Sequence, residues 1–362
     1  MINERIFETL DNEAIDSYRQ LGYLCLRGQI PKDILGTIRE RWGSMTCGYA
    51  AALGVETMRY LKVISQWRDL WKADPFFREV LEKYLAPIAS ASLELPGARL
   101  LHDHFIRKDA NGSNGVIPWH QDSMFWPVDR SGLSTWLTLD TARLEQGCLQ
   151  VIAGSHRWPT DTPVDFMQQE RDMTEHKITW LPAEAGDLII LNSKTWHRSD
   201  PVGSSATRLA HIALWVPEQV RYAPELADWH PLNEQIRVAP GALLNEDEFP
   251  VFGARSLGFG NSQANVHAGV KRHKGMFNAR GRVEATVTGQ LGKDESLGRL
   301  LSDGKARSTL SKLLKARAEL PLEKCQYLVD DVWISAAAYE QHRSRNVFND
   351  AYARWEAHWG AD

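Results

Sequence analysis

The sequence has few cysteines and no long apolar run. Its four cysteines, Cys25, Cys47, Cys148 and Cys325, are widely scattered and form no CxxC pair. This distribution fits a reducing compartment better than a disulfide framework. No apolar segment approaches the ~20 residues of a membrane-spanning helix, and the acidic N-terminal segment lacks the apolar core of a secretory signal. We therefore expect a cytoplasmic protein that does not enter a membrane.

The chain also lacks a strong excess of charge of either sign. Its 42 basic and 46 acidic side chains give a net charge of −4, so it has no general attraction for nucleic acid or for anionic membranes. The glycine-containing segment 259–282 has no GxGxxG between a strand and a helix, which excludes a nucleotide-binding fingerprint. With 43% hydrophobic and 24% charged residues, the composition is typical of a globular protein. A small molecule is the expected partner.

Helical patterns come first in the chain, and short strands follow. An amphipathic helix is predicted between Asp11 and Gly22, a second helix over 32–42, and further helices over 57–92. From Leu100 onward, short alternating segments are separated by turns, which is typical of antiparallel sheets. The predicted fold class is mainly β with flanking helices. Its core is a double-stranded β-helix of the jelly-roll or cupin-like type, and the helices pack on the outside of a sheet.

The last third of the chain differs from the rest. Residues 218–255 are polar without a clear period, and helical patterns return from Ser296. An apolar stripe at helical spacing follows, formed by Phe348, Ala351, Tyr352, Trp355 and Trp359. We therefore predict a β-helix domain with N-terminal helices over 1–235 and a loop-rich, then helical, C-terminal extension over 236–362. The extension is interpreted as a lid or as an oligomer contact, such as a homodimer through the C-terminal helices.

One short segment carries two ligands for a metal ion. His120 and Asp122 are two residues apart, so in an extended strand both side chains project to the same face. An imidazole beside a carboxylate is typical of the 2-His-1-carboxylate facial triad that binds non-haem Fe(II). Among twelve histidines, this is the only His-x-Asp or His-x-Glu. The alternative is a His and an Asp at a strand end that only serve a turn.

A third ligand and a cation follow on later strands. The aliphatic segment 187–192 is predicted to be a buried strand, and His197 comes shortly after it. Arg208 opens a further strand on the same face as Ala210, a small residue that leaves room for a long cation. We predict that His197 completes the metal site and that Arg208 binds the carboxylate of an anionic co-substrate. The alternative for Arg208 alone is a position on the surface.

Other side chains near these motifs have two interpretations. His102 and His104 share one face of the strand 100–108, but a second metal site there would need another pair of ligands at matching spacing, which we do not find. They are therefore interpreted as core or pocket-lining residues. Phe125 and Trp126, which follow the metal motif, fit core packing and the wall of a substrate pocket equally well.

Together these residues resemble the phytanoyl-CoA dioxygenase family of Fe(II)/2-oxoglutarate-dependent oxygenases. The resemblance covers about residues 11–217 and rests on motifs that occur in the family's order. These motifs are LHDHFIRK at 101–108, WHQD at 119–122, STWLTLD at 134–140, EQGCLQVIAGSH at 145–156, and His197 followed by Arg208. His156 belongs to a turn motif in the family and is not a metal ligand there.

The resemblance implies an oxidoreductase that uses Fe(II), 2-oxoglutarate and O2. The site residues that it implies are His120, Asp122 and His197 as metal ligands and Arg208, Lys108 and Trp136 as co-substrate-binding residues. The implied reaction is hydroxylation of an unactivated C–H bond of a small molecule, with release of succinate and CO2. Related halogenases have a small residue in place of the carboxylate ligand, so Asp122 favours hydroxylation or desaturation over chlorination.

Two other classes of protein remain as alternatives. One is a cupin-type metal dioxygenase that does not use 2-oxoglutarate and so would not need Arg208. The other is a non-catalytic binding module on the same fold, which would be free to lose the metal ligands. No segment is recognisable as a coenzyme A site, and no substrate is assigned.

Overall fold

The computed structural model describes residues 2–3, 5–52, 57–58, 61, 66–108, 117–158, 172–203, 207–227, 232–253, 325–329 and 332–335. The α-helices described are α1 Asn12–Leu21, α2 Lys32–Ala52, α3 Leu70–Ala73, α4 Pro75–Val80, α5 Ala86–Leu93 and α6 Leu232–Gln235. The strands are β1 Tyr23–Leu26, β2 Gln66–Arg68, β3 Gly97–Lys108, β4 Ile117–His120, β5 Leu133–Thr138, β6 Leu149–Ile152, β7 Ile178–Leu181, β8 Leu188–Asn192, β9 His197–Ser199, β10 Arg208–Pro217, β11 Val251–Gly253, β12 Cys325–Val329 and β13 Val332–Ser335.

Two antiparallel sheets form the body of the protein. The major sheet has the strand order β1-β8-β5-β10-β3-β11, and β2 also pairs with β3. The minor sheet has the order β4-β9-β6-β7. The prediction of a mainly β fold built from antiparallel strands with flanking helices is therefore confirmed.

The two faces of the major sheet contact different partners. The outer core lies between the helices and the major sheet and includes Tyr18, Ile38, Phe77, Phe105 and Trp215. The inner core includes Val151 and Leu181 of the minor sheet together with Ile189, Ala210 and Ile212 of the major sheet. Because alternate residues of a strand point to opposite faces, β10 contributes to both cores. The predicted packing of helices on the outside of a sheet is confirmed.

The first helix begins and ends at the predicted residues. The Asp11 side chain accepts a hydrogen bond from the backbone N–H of Ala14, as an N-cap does. Gly22 ends α1 in the left-handed conformation, with φ of 77°. The second helix is longer than predicted, because α2 continues to Ala52.

The helical prediction over 57–92 is wrong at one segment. Residues Gln66–Arg68 form β2, whose Trp67 lies opposite Phe105 of β3. Trp67 is fully buried in the outer core, so the apolar spacing that suggested a helix there reflects burial of Trp67 against a strand. The pairing partner lies almost forty positions away in the sequence, so a local pattern could not indicate it.

The C-terminal third contributes to the same body and departs from the prediction. β11 pairs with β3, with Val251 opposite Arg99, and Phe252 belongs to the outer core. In the segment from 296 onward, for which helices are predicted, the described residues form two paired strands, β12 and β13, and the rest of that segment lies outside the described residues. The predicted apolar stripe from Phe348 to Trp359 lies outside the described residues, and the division at residue 235 stays a prediction. Among the described residues, no helix combines the length and hydropathy needed to span a bilayer.

Candidate metal centre

Two histidines come together through strand pairing in the minor sheet. β4 and β9 are antiparallel, and His120 lies directly opposite His197. Their ring centroids are 4.1 Å apart. Side chains directly opposite on paired strands share a face, so both rings point in the same direction.

The carboxylate of Asp122 completes the cluster from just beyond the end of β4. Asp122 begins a 3-10 turn, Asp122–Phe125, whereas the prediction placed it in the strand. The residue between, Gln121, keeps an extended backbone, so His120 and Asp122 still face the same side. Asp122 Oδ1 lies 3.6 Å from His120 Nε2 and 3.5 Å from His197 Nε2. The cluster is the one group among the described residues whose three or more His, Cys or acidic ligand atoms all lie within 4.8 Å of one another.

Backbone carbonyls fix how each imidazole is presented. His120 Nδ1 lies 2.8 Å from the carbonyl oxygen of Pro118, and His197 Nδ1 lies 2.9 Å from that of Thr195. A carbonyl only accepts hydrogen bonds, so each Nδ1 donates and each Nε2 keeps its lone pair. Both lone pairs therefore face the Asp122 carboxylate, as metal-binding imidazoles held by outer hydrogen bonds do.

The protonation states also suit a divalent metal. Burial raises the pKa of the Asp122 carboxyl, but the charge of His197 and the contact with His120 outweigh it, and the pKa falls to about 2. Burial, reinforced by the charge of His120, lowers the pKa of His197 to about 4. At neutral pH the site therefore offers a carboxylate and a neutral imidazole, the forms that bind metal.

Arg208 lies on the inner face of the major sheet and is 2% exposed. Its guanidinium lies 5.4 Å from the ring centroid of Trp136. Burial lowers its pKa to about 10, so it remains charged at neutral pH. Its Nη2 is buried and has no hydrogen-bond partner among the described residues. A buried cation with an unsatisfied donor is costly, and an anionic ligand would supply the partner.

Lys108 lies opposite Arg208 on the neighbouring strand but contacts the minor sheet. Its Nζ donates to Ser199 Oγ at 2.7 Å, to the Ser199 carbonyl at 3.2 Å and to the Asp200 carbonyl at 2.9 Å. These contacts tie the end of the Lys108 side chain to the two residues Ser199 and Asp200. Co-substrate binding by Lys108 stays a prediction.

The His102-Asp103-His104 segment divides between the two faces of β3. Asp103 points to the outer core, where His211 Nε2 lies 2.9 Å from its carboxylate. His102 and His104 point inward, with their Nδ1 atoms 3.4 Å apart. Both rings are buried, as core or pocket-lining side chains are.

Two polar residues on the inner face of the major sheet were not predicted. Ser134 of β5 forms a hydrogen bond with the Asp122 carboxylate. Arg68 of β2 lies opposite His104 and was predicted to be helical. The motif STWLTLD contains Ser134 and gave a signal that could have found it, whereas Arg68 becomes visible only through the pairing of β2 with β3.

Comparison with known proteins agrees with the motifs. A family model described as phytanoyl-CoA dioxygenase (PhyH) matches residues 18–210. The chain is 29% identical over 173 residues to "phytanoyl-CoA dioxygenase domain-containing protein 1" of Danio rerio, a match that covers 42% of this chain and 59% of that protein. The chain therefore spans little more than half the length of this curated relative.

Solved structures of similar fold include two enzymes of nogalamycin biosynthesis. The non-haem alpha-ketoglutarate-dependent carbocyclase SnoK matches with a TM-score of 0.53 and 20% identity, over 68% of this chain and 97% of SnoK. The epimerase SnoN, in complex with Fe3+, alpha ketoglutarate and nogalamycin RO, matches with a TM-score of 0.53 and 18% identity, over 66% of this chain and 97% of SnoN. At these identities the likeness concerns the fold.

Proposed function

Because the chain belongs to the phytanoyl-CoA dioxygenase family, we propose that it is a dioxygenase dependent on Fe(II) and 2-oxoglutarate. The proposed reaction is the oxidation of an unactivated C–H bond of a small molecule, most simply a hydroxylation. When bound, Fe(II) and 2-oxoglutarate would activate O2 as the oxidant, and 2-oxoglutarate would be converted to succinate and CO2. The proposed topology of the two sheets is a double-stranded β-helix, with residues 236–362 as an extension of it.

The protein's own residues suit this pair of groups. His120, Asp122 and His197 present two imidazole lone pairs and a carboxylate from one side, and this donor set would hold Fe(II). The buried, unsatisfied Nη2 of Arg208 suits the distal carboxylate of 2-oxoglutarate. SnoN, which shares the fold, binds Fe3+ and alpha ketoglutarate. The fit of both groups to one interior supports the proposal.

Each residue has a task that follows from its position. The triad holds the metal and keeps it between the two sheets. Arg208 orients the co-substrate, and Trp136 beside it forms an apolar wall. Burial of these side chains excludes water, which strengthens the interaction of Arg208 with a carboxylate.

The buried Arg208 and the hydrogen bonds of the two histidines separate the proposal from its alternatives. A cupin-type metal dioxygenase without 2-oxoglutarate would have no use for a buried cation, because its metal ligands alone would define the site. A non-catalytic binding module would need neither a complete triad nor fixed imidazole tautomers. The presence of Arg208 and of both Nδ1 hydrogen bonds favours the dioxygenase.

The first experiment needs no substrate. We expect the chain, loaded with Fe(II) and 2-oxoglutarate in the absence of O2, to develop the visible charge-transfer band of a 2-oxoglutarate–iron chelate. The band should disappear in His197→Ala and require far more 2-oxoglutarate in Arg208→Ala. His176→Ala and Arg78→Ala, which change exposed residues away from the centre, serve as matched controls and should leave it unchanged. Bound iron without a band in the unmodified chain would favour the cupin-type alternative.

A further inference from the structure

The inner face of the major sheet changes in character toward its β3 edge. On β8 and β10 this face carries aliphatic side chains, such as Ile189, Leu191 and Ile212. On β2 and β3 it carries a set that we call the inner polar group, consisting of Gln66, Arg68, His102 and His104. Directly opposite residues on paired strands share a face. Gln66 lies opposite Ile106 of the inner core, so Gln66 faces the interior. Arg68, two residues further along β2, faces the same side.

The inner polar group is buried on the inner face of the major sheet. Arg68 is 3% exposed and His104 is 7% exposed. Burial lowers the pKa of His104 to about 3, and the charges of Arg68 and Asp122 act on it in opposite directions. His104 therefore lies within electrostatic reach of both a guanidinium and the proposed metal ligand. Its neutral ring can donate one hydrogen bond and accept another.

The inner polar group is distinct from the co-substrate position. Arg68 pairs with His104 on β3, whereas Arg208 of β10 pairs with Lys108, four residues further along β3. Strand spacing and residue rise place the Arg68 and Arg208 backbones about 16 Å apart. The two arginines therefore enter the interior from different strands and at different positions along β3, and we assign them to different anionic groups.

We propose that the inner polar group binds an anionic group of the primary substrate, a carboxylate or a phosphate. The inference rests on the proposed function, because it assigns the substrate class of the same centre. Arg68 provides the charge, and Gln66, His102 and His104 provide hydrogen bonds around it. By the same strand arithmetic, Arg68 is also about 16 Å from Ser134, whose side chain contacts Asp122. The two backbones are therefore far enough apart for a substrate to lie between the inner polar group and the candidate metal centre.

Matched pairs of small molecules test this class. The full chain, loaded with Fe(II) and 2-oxoglutarate without O2, would be titrated with hexanoate and methyl hexanoate, benzoate and methyl benzoate, and phenyl phosphate and phenol. Substrate approach perturbs the charge-transfer band, so the shift of that band reports binding without turnover. Intrinsic tryptophan fluorescence of the metal-free chain would follow the same pairs independently. We expect binding of at least one anion and at least tenfold weaker binding of its neutral counterpart.

Variants connect that preference to the inner polar group. Arg68→Gln should weaken anion binding by about 10- to 100-fold, the range for losing a hydrogen bond to a charged group, while the band with 2-oxoglutarate remains. Arg68→Lys keeps the charge and should keep the preference for the anion, which guards against a folding defect in Arg68→Gln. Arg78→Gln changes an exposed arginine and should have no effect.

The outcomes separate this inference from the proposed function. Equal binding of anions and their neutral partners, no binding of either, or unchanged anion affinity in a folded Arg68→Gln would overturn the inference while leaving the band intact. Absence of the band in the unmodified chain would count against the proposed function alone. The fluorescence titration would then still decide whether Arg68 binds an anion. Carboxylates and phenyl phosphate in separate arms identify which anion the group prefers.

Discussion

Lys108 illustrates how a single residue can connect the two sheets at the candidate site. Its Nζ forms three hydrogen bonds with Ser199 and Asp200, which follow His197 by two and three residues. Its own strand carries His102 and His104 on the same inner face. Lys108 therefore fixes β9, and with it a proposed metal ligand, against the edge of the major sheet beside Arg208.

Lys108→Met should destabilise the protein and weaken Fe(II) binding. The substitution leaves two buried backbone carbonyls and a hydroxyl without their donor, which should lower the free energy of unfolding by about 2–4 kcal/mol. Urea denaturation and Fe(II) titration measure the two effects. Lys83→Met, at a solvent-exposed lysine of an i,i+4 ion pair, is the control and should change little. Unchanged stability together with weaker 2-oxoglutarate binding would instead place Lys108 at the co-substrate, as the family resemblance implies.

The site residues that could be predicted from the sequence have nearby partners in the chain, whereas those that could not be predicted have distant ones. His120 and Asp122 are two residues apart, so local backbone geometry alone predicts that they face the same side. The backbone of Gln121 preserves this, even though Asp122 lies in a turn. Arg68 and Ser134 gain their significance from pairing with strands far away in the chain, and no spacing within the sequence encodes such a partner.

At the scale of elements, the segment AGSHR forms the turn after β6 and has a structural role. It closes the C-terminal end of α1, where carbonyls lack partners within the helix. His156 Nε2 donates to the Arg19 carbonyl at 3.1 Å, and Arg157 Nη1 donates to the Gln20 carbonyl at 2.7 Å. The backbone N–H of Gly154 donates to the Leu21 carbonyl. His156 therefore has a structural role at the end of α1, as expected for a residue of a turn motif.

Gly147→Ala should be much more destabilising than Gly28→Ala. Both glycines have left-handed backbones, with φ of 64° and 55°, so alanine at either position costs about 1 kcal/mol for conformation alone. A Cβ at Gly147 would also lie 2.2 Å from the carbonyl oxygen of Asp200, whereas a Cβ at Gly28 meets nothing within 4 Å. We expect losses of about 3 and 1 kcal/mol respectively, measured by urea denaturation.

The comparison isolates the steric effect at the turn before β6. Equal losses for the two variants would mean that the chain at Asp200 moves away at little cost. Because Asp200 also accepts hydrogen bonds from Lys108 and Gln150, such movement should appear as weaker Fe(II) binding in Gly147→Ala. Gly28→Ala should bind Fe(II) as the unmodified chain does.

Elements whose partners are local were easier to predict than elements paired over long range. The limits of α1 follow from Asp11 and Gly22, which act on the adjacent backbone. β2 was predicted as helix because Trp67 continues an apolar spacing, although its burial comes from contact with β3. β11 likewise gave no local signal, because this three-residue strand lies in a polar region and forms through its pairing with β3.

At the scale of the whole molecule, the two sheets contribute different groups to the candidate site. The minor sheet and the turn after β4 supply the triad, and the major sheet supplies Arg208 and the inner polar group. A ligand bound between the sheets would therefore contact the proposed metal ligands on one side and buried cations on the other. Pairing of β11 with β3 brings residues as late as Gly253 into the same body, so all of these groups depend on one folded unit.

Removal of residues 296–362 tests whether the C-terminal extension acts as a lid or as an oligomer contact. The triad and Arg208 lie between positions 120 and 208, so we expect the shortened chain to keep the charge-transfer band with Fe(II) and 2-oxoglutarate. If the segment is an oligomer contact, light scattering should show a smaller assembly than for the full chain. If it is a lid, the mass per particle should stay the same, and more 2-oxoglutarate should be consumed for each substrate molecule oxidised, because an open site admits water. Unchanged size, stability and coupling would exclude both roles, and the function would then reside in the two-sheet body alone.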